Sequence, residues 1–418
     1  MLFGQLGFCA IAFYGGVTHP SWPLWMLMGV GCLCYGARMR LGMFEALLFL
    51  FFAWVLVNYL VRGNGTLRDI FVPVMVVTLL PYVFGKLFGQ FFRAAHLLLL
   101  VGIAFGYIFV VGFEVVFNPE VVFGGERLVL FKSHVLDPQY TIGLAAPTFI
   151  SNLLGPISVL LVYCFVFNRG FSRWIKSHLK GMYFPALLGF PMVLFVCGSR
   201  SSLISLLMGV GLLALFERKL NRKTLLRVGG LLAVVVFIAQ HLSSARLSFF
   251  GQLFKVFDLE LLSSITALDV QGDSILIRMA HLYNSVVLFL QSPIAGVGPG
   301  NYGLNYFGHQ VLFEHPHSVP FQIAAELGGI GLMLWAMLIG YIFYLVASFQ
   351  KNVEIPVEKK VLAMALFSFW VYFLINDLFV GTVYNSLHFF SVTGILVAFV
   401  KGMKRTYFRD DLNPNSPA

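Results

Sequence analysis

The stretch EHPHSVPFQIAAELGGIGLMLWAMLIGYIFYLVASF (residues 314–349) begins with an acid, histidines and prolines and then turns apolar for the rest of its length. A helix needs about 20 apolar residues to cross the hydrocarbon core of a bilayer, and residues 318–349 exceed that. Ser318 suits a helix N-cap, and Pro320 is tolerated in a first turn. A membrane helix is therefore expected to start here, with His317 just outside it. The rest of the chain agrees. Of its 418 residues, 59% are hydrophobic and 11% charged, whereas soluble domains carry about 25% charged residues. The expected fold class is an all-α polytopic membrane protein.

Further apolar runs cover residues 2–17, 21–36, 41–61, 69–85, 94–113, 148–167, 182–198, 201–217, 228–242, 361–379 and 386–400, about twelve spans in all. The first lacks a basic segment ahead of it and a small-residue cleavage site, so a retained helix is expected. Cytoplasmic loops are enriched in Lys and Arg. Suppose both termini are cytoplasmic. Then all of the 28 lysines and arginines except Arg62, Arg68, Arg127, Lys132, Arg200, Arg246, Lys255 and Arg278 fall in inside loops. The net charge of +10 is thus a topology signal, and no basic stripe interleaved with aromatics points to nucleic acid.

The expected organisation follows. Residues 1–242 hold the first transmembrane helices, with an outside loop over 114–147. Residues 243–317 form a large outside loop with amphipathic helices. The last transmembrane helices occupy 318–400, and 401–418 is a cytoplasmic tail whose end, DLNPNSPA (411–418), is expected to be disordered. Within the large loop, RLSFFGQLFKVFDLELL (246–262) is amphipathic and expected to lie along the outer leaflet. Cys9, Cys32, Cys34, Cys164 and Cys197 all sit in apolar runs, which suits neither a disulfide framework nor a zinc site.

The informative charges lie on the outside. Arg200, in CGSRSSL (197–203), separates two apolar runs with almost no loop. A charge at membrane depth costs about 2.5–3.5 kcal/mol, so Arg200 reads either as an interfacial anchor or as an anion clamp. Arg278 lies on an amphipathic segment expected to end near Pro293, and alone it reads as a solvated arginine. The following GVGPGN (296–301) comes after a helix and not a strand, which excludes a dinucleotide fingerprint. It is a turn, or a loop offering N–H groups to a phosphate. His309, Glu314, His315 and His317 cluster in sequence but match no zinc spacing, and Pro316 extends the backbone between two of them. No metal is expected.

A helix N-terminus carries about half a positive charge and unpaired N–H groups. Beside it, His317 is favoured as neutral imidazole, the form that accepts a proton as a general base. The same end suits a phosphate. A wet interfacial histidine is the other reading. Glu326 shares a helix face with Gln322, and at its depth it is either protonated or paired with a cation. Gly328, Gly329 and Gly331 let backbones approach closely or let the helix break. Asn376 and Asp377 form a second intramembrane polar pair, read as a helix–helix hydrogen bond.

These residues resemble those of the O-antigen ligase and O-antigen polymerase superfamily, bacterial inner-membrane glycosyltransferases of the GT-C type. The ligase motif His-[Asn/Ser/Gln]-x9-Gly-x-x-Gly is similar to His317-Ser318 followed by Gly328 and Gly331, and the Glu-x-Gly-x-x-Gly ending is similar to the run from Glu326. The family's arginine upstream of Pro-x-x-Gly-x-Gly-x-Gly-Asn resembles Arg278 followed by Pro293 to Asn301, a run that includes Gly298 and Gly300. Its Ser-Arg pair opening a helix resembles Ser199-Arg200. The motifs come in family order over residues 190–335. Leu332 departs from the Thr or Val of some ligases.

The resemblance implies a GT-C-like fold and a glycan donor carried on undecaprenyl pyrophosphate. The glycan passes, with inversion and without metal or other cofactor, to a hydroxyl in the periplasm. In a ligase that hydroxyl belongs to the lipid A core. Arg200 and Arg278 are then expected to bind the pyrophosphate bidentately, and His317 to take the hydroxyl proton. Glu326 is expected to orient His317 or an arginine, with Ser318, Ser199, Gly298, Gly300 and Asn301 in support. Membrane lipids are the remaining partners. A polymerase joining lipid-linked repeats and a protein-directed oligosaccharide transferase of the same superfamily are alternatives. A transporter of lipid-linked oligosaccharide needs a polar path across the membrane, whereas here the unusual polar groups gather on one side.

Overall fold

A computed structural model describes residues 42–62, 78–117, 147–166, 177, 180–196, 200–217, 226, 229–230, 274–303, 315–379, 381–383 and 386–408. All regular elements among the described residues are helical. They are α1 (Met43–Arg62), α2 (Leu80–Gly89), α3 (Ala94–Phe117), α4 (Pro147–Val166), α5 (Tyr183–Val196), α6 (Arg200–Phe216), α7 (Ser274–Gln291), α8 (Val319–Lys351), α9 (Val357–Phe379) and α10 (Leu387–Phe408). Among the described residues, 4 helices, namely α1, α8, α9 and α10 up to Tyr407, are long and apolar enough to cross a membrane. Shorter apolar helices lie in α3 to α6. The expected spans 2–17 and 21–36, most of 228–242, residues 118–146, 243–273 and 304–314, the end 411–418, and Ser199, His309 and Glu314 lie outside the described residues.

Helices cover nearly all of the described part of each remaining expected span, 69–85 being described only from residue 78, and several run past the expected ends: α3 continues to Phe117 and α9 starts at Val357. The helix expected to stop at residue 85 runs on to Gly89, and the last helix continues to Phe408 rather than 400. In both cases the charges that looked like the end of a span have found partners. Lys86 pairs with Glu45 at 2.6 Å, Lys401 reaches the same carboxylate at 3.1 Å, and Lys404 donates to Ser348 Oγ at 2.7 Å. A paired lysine can stay in a helix that an unpaired one would have to leave.

α9 is the centre of the bundle. It packs against α4, α6, α8 and α10, and its residues from Val361 to Ile375 are buried. Trp370 stacks on Phe367 and meets Phe343 of α8 edge-on. Cys164 of α4 is a buried free thiol, in keeping with its reading as a small apolar residue. α8 packs against α1, α7, α9 and α10, and so carries the elements of the site against the core.

The two ends of the bundle differ in chemistry. At one end Glu45 of α1 collects Lys86 of α2, Lys401 of α10 and the hydroxyl of Tyr82, which donates at 2.8 Å. α1 then runs about 30 Å, at 1.5 Å per residue, to Arg62 at the other end. There it meets the turn that follows α7. Lys86 and Lys401, assigned to one side by the charge rule, do share an end, and Arg62 shares the opposite end with the turn after Arg278's helix.

Candidate functional site

The site is organised around a break in α8. Gly328 has φ 66 and ψ −164 in the middle of the helix, a combination reached essentially only by glycine. The turn after α7 fills the gap. Val297 N donates to Ala325 O at 2.9 Å and Gly298 N to Glu326 O at 3.0 Å, while Gly329 N donates to Pro293 O at 2.8 Å and Ile330 N to Ile294 O at 3.3 Å. Both readings of the glycine run 328–331 hold at once: the helix breaks, and another backbone lies against the break. A methyl on Gly296 would be driven into Glu326 O and would lie 2.5 Å from Leu327 N.

Of the two readings of GVGPGN, this docking favours the turn. The N–H groups of Gly296, Val297, Gly298 and Asn301 bond to Ser292 O, Ala325 O, Glu326 O and Gly298 O, so they serve the protein itself. Gly298 (φ 105) and Gly300 (φ 76) shape the turn. The Asn301 amide donates to Arg62 O at 2.7 Å and Val297 O at 3.0 Å.

α1 closes over the junction with residues that sequence reasoning missed. Trp54 Nε1 donates to Leu327 O at 3.0 Å. Asn58 Nδ2 donates to Ala295 O and, at 3.5 Å, to Glu326 O. Arg62 donates to Gly296 O and, at 2.6 Å, to Ser292 Oγ. Spaced at i and i+4, these side chains share a helix face. They supply donors to carbonyls that a helix break leaves unpaired. The signal was available: polar side chains at a four-residue interval on an otherwise apolar helix. Asn58→Ala takes its donor from Ala295 O, while Glu326 O keeps Gly298 N; losing such a bond costs about 0.5–1.5 kcal/mol. The substitution should lower the thermal midpoint in detergent, whereas Leu60→Ala, at an exposed position, should not.

His317 stands where the sequence places it, two residues before the first residue of α8. With φ 53 it has the only positive φ outside glycine among the described residues. Its ring centroid lies 4.5 Å from that of His315 and 5.8 Å from that of His281. Burial pushes its pKa down to about 4, helped by the charges of His315, Arg278 and His281. Both burial and the nearby guanidinium of Arg278 favour the neutral imidazole. Ser318 is the N-cap, as expected: its backbone is extended (φ −150) and its carbonyl accepts the first helical bond from Gln322 N at 2.9 Å, although its side chain makes no capping hydrogen bond.

Glu326 is 1% exposed. Its carboxylate accepts from Gln322 Nε2 at 3.3 Å and from Tyr302 N at 3.4 Å. Gln322 in turn accepts from Thr382 Oγ1 at 2.8 Å and Val383 N at 3.0 Å. Donors from the side chain of Gln322 and the backbone of Tyr302 thus reach this acid. Through Tyr302 it reaches His281, whose Nδ1 lies 2.9 Å from the phenol oxygen. His281 and Tyr302 were not singled out in the sequence. His281 follows Arg278 by three residues on one helix face, and Tyr302 directly follows the glycine turn.

The structure thus brings together Arg278, His281, Tyr302, His317, Glu326 and the turn 292–301. Arg200 opens α6 as expected; its side chain and Ser199 lie outside the description. Among the described residues no group of three or more His, Cys, Asp or Glu is set to hold a metal ion. The arrangement offers a neutral proton acceptor beside a guanidinium, at the mouth of a helix held open by glycine.

Residues 184–336 match the family described as O-Antigen ligase. The match runs from α5 into α8 and includes Arg200, Arg278, His317 and Glu326, while α1 lies outside it. A comparison with curated proteins gave no match.

Proposed function

We propose that this chain, whose residues 184–336 belong to the O-antigen ligase family, moves a glycan from undecaprenyl pyrophosphate to a hydroxyl of the lipid A core. The site faces the periplasm from the bacterial inner membrane, with both termini cytoplasmic. Family membership supports a ligase- or polymerase-type glycosyl transfer in general. The observation that carries the reading is His317, half-buried ahead of α8 between the rings of His281 and His315, with burial and neighbours that include Arg278 holding its pKa down.

The chemistry follows from those groups. The acceptor hydroxyl gives its proton to His317. Its oxygen attacks the anomeric carbon from the face opposite the pyrophosphate, which inverts that centre. The glycosidic bond breaks and its electron pair leaves on the pyrophosphate oxygen. Arg278, with Arg200 from the start of α6, takes up the developing charge, as preorganised cations do without reorganisation cost. A pyrophosphate is already a good leaving group, so no metal is required.

The pH dependence tests the base. The neutral form of His317 is active, so kcat/KM should hold as pH falls past 6.5 and decline only near pH 4, because kcat/KM reports the free enzyme. The limb of kcat should lie at higher pH, since a bound pyrophosphate favours the imidazolium. An acid limb of kcat/KM near 6.5 would contradict the assignment. For the function itself, purified protein is given lipid-linked donor and lipid A core acceptor in detergent, without a gradient. Glycosylated core is expected. Lengthened lipid-linked repeats instead would mark a polymerase, and no product from either acceptor would overturn the reading.

A further inference from the structure

Tyr302 bonds twice to one residue. Its hydroxyl donates to His281 O at 3.0 Å and lies 2.9 Å from His281 Nδ1. A phenol has one hydrogen, and a carbonyl oxygen has none to give. With that hydrogen on His281 O, the other bond must be donated by the imidazole. His281 is therefore the Nδ1–H tautomer, and its Nε2 carries the lone pair. The ring is 3% exposed and stands edge-to-face against His317, centroids 5.8 Å apart at 81°. Among the described residues, the titratable and charged groups around it are Arg278 on its own helix, His315 and His317 ahead of α8, Tyr302 after the turn and Glu326 on α8. Burial and the His315 charge keep His281 neutral as well, its pKa pushed down to about 4.

Resting on the glycosyl-transfer reading above, we propose that His281 is a positioning residue for His317, its Nε2 accepting the N–H of the His317 ring. Which nitrogen of a histidine is free is set by the hydrogen bond the other one makes. Held in this way, His317 keeps one nitrogen for the acceptor hydroxyl. The hydroxyl proton passes to that nitrogen, and the O–H electron pair forms the new bond to the anomeric carbon. The pair of the broken bond leaves on the pyrophosphate. The other N–H stays on His317 and strengthens its bond to His281 Nε2 as the imidazolium forms. A small rotation of the two rings on substrate binding brings them into hydrogen-bond range.

Two substitutions separate this role from mere bracing of Tyr302. His281→Asn keeps an amide donor near Nδ1 for Tyr302 but has nothing at Nε2. His281→Gln keeps an acceptor near Nε2 and loses the bond to Tyr302. Hydrogen bonds to charged groups are worth enough to make kcat of His281→Asn fall about tenfold to a hundredfold, with KM for the lipid-linked donor unchanged. His281→Gln should keep more kcat than His281→Asn. A His281 that only braces Tyr302 gives the reverse order, which overturns the proposal. If neither variant folds, Tyr302→Phe decides: it frees the tautomer at nearly constant volume and should lower kcat, and an unchanged kcat overturns the proposal. Wild type and His317→Ala are assayed alongside. No transfer by wild type, or full transfer by His317→Ala, defeats the functional reading; with both as expected, a fast His281→Asn defeats this inference alone.

Discussion

His317→Ala should lower the rate of transfer by about 10²–10⁴-fold, the usual worth of a general base. The protein should still insert and bind the lipid-linked donor, because pyrophosphate recognition is assigned to the arginines. A confounding effect comes from the backbone. With φ 53, His317 sits in the left-handed region, where most side chains are disfavoured by about 1–2 kcal/mol and Asn is better tolerated. His317→Asn therefore serves as the companion variant, keeping the conformation while removing the base. Both should be slow, with the asparagine variant nearer to wild type in thermal midpoint. Transfer within a few-fold of wild type by either one ends the case for His317 as the base.

Gly328→Ala should abolish activity by a different route. The backbone there (φ 66, ψ −164) costs a side chain about 1–3 kcal/mol in strain. A methyl would also be driven into Ile294 O and would lie 2.5 Å from Gly296 N, backbone atoms that cannot rotate away. The turn must then lift off, with loss of the bonds from Val297, Gly298, Gly329 and Ile330. Tyr302 leaves Glu326 with it. The expected result is a lower thermal midpoint in detergent together with absent transfer. Gly340→Ala, in the same helix with open space around it, should change neither. An unchanged midpoint for Gly328→Ala would mean that the break is not a fixed part of the fold.

How far the sequence reached depends on the range of the interaction. The helices were legible because a membrane span is written in local composition, and α8 and His317's place before it follow from a few adjacent residues. The glycine break was half legible: Gly328 permits it, but nothing local to residues 326–331 says that residues 293–298 fill the gap. The contacts of Trp54, Asn58 and Arg62 were not legible, because their partners lie more than two hundred residues along the chain. Lys86 and Lys401 misled for the same reason. Each reads as the end of an apolar run until Glu45 is brought to it by folding. Glu326 was expected to need a cation or a proton; donors from Gln322 and Tyr302 reach its carboxylate, and only the first of these was on the same helix.

The ladder on α1 also bears on how portable the site is. Residues 184–336 hold the motifs, yet the helix that pins their turn in place is contributed by residues 43–62. The matched segment is thus half of a joint whose other half lies elsewhere in the gene. A chimera that transplants 184–336 onto a foreign scaffold should work only if its new first helix presents matching donors to the turn. Changes at Asn58 and at the turn should behave as one lesion and not two, their combined effect falling short of the sum.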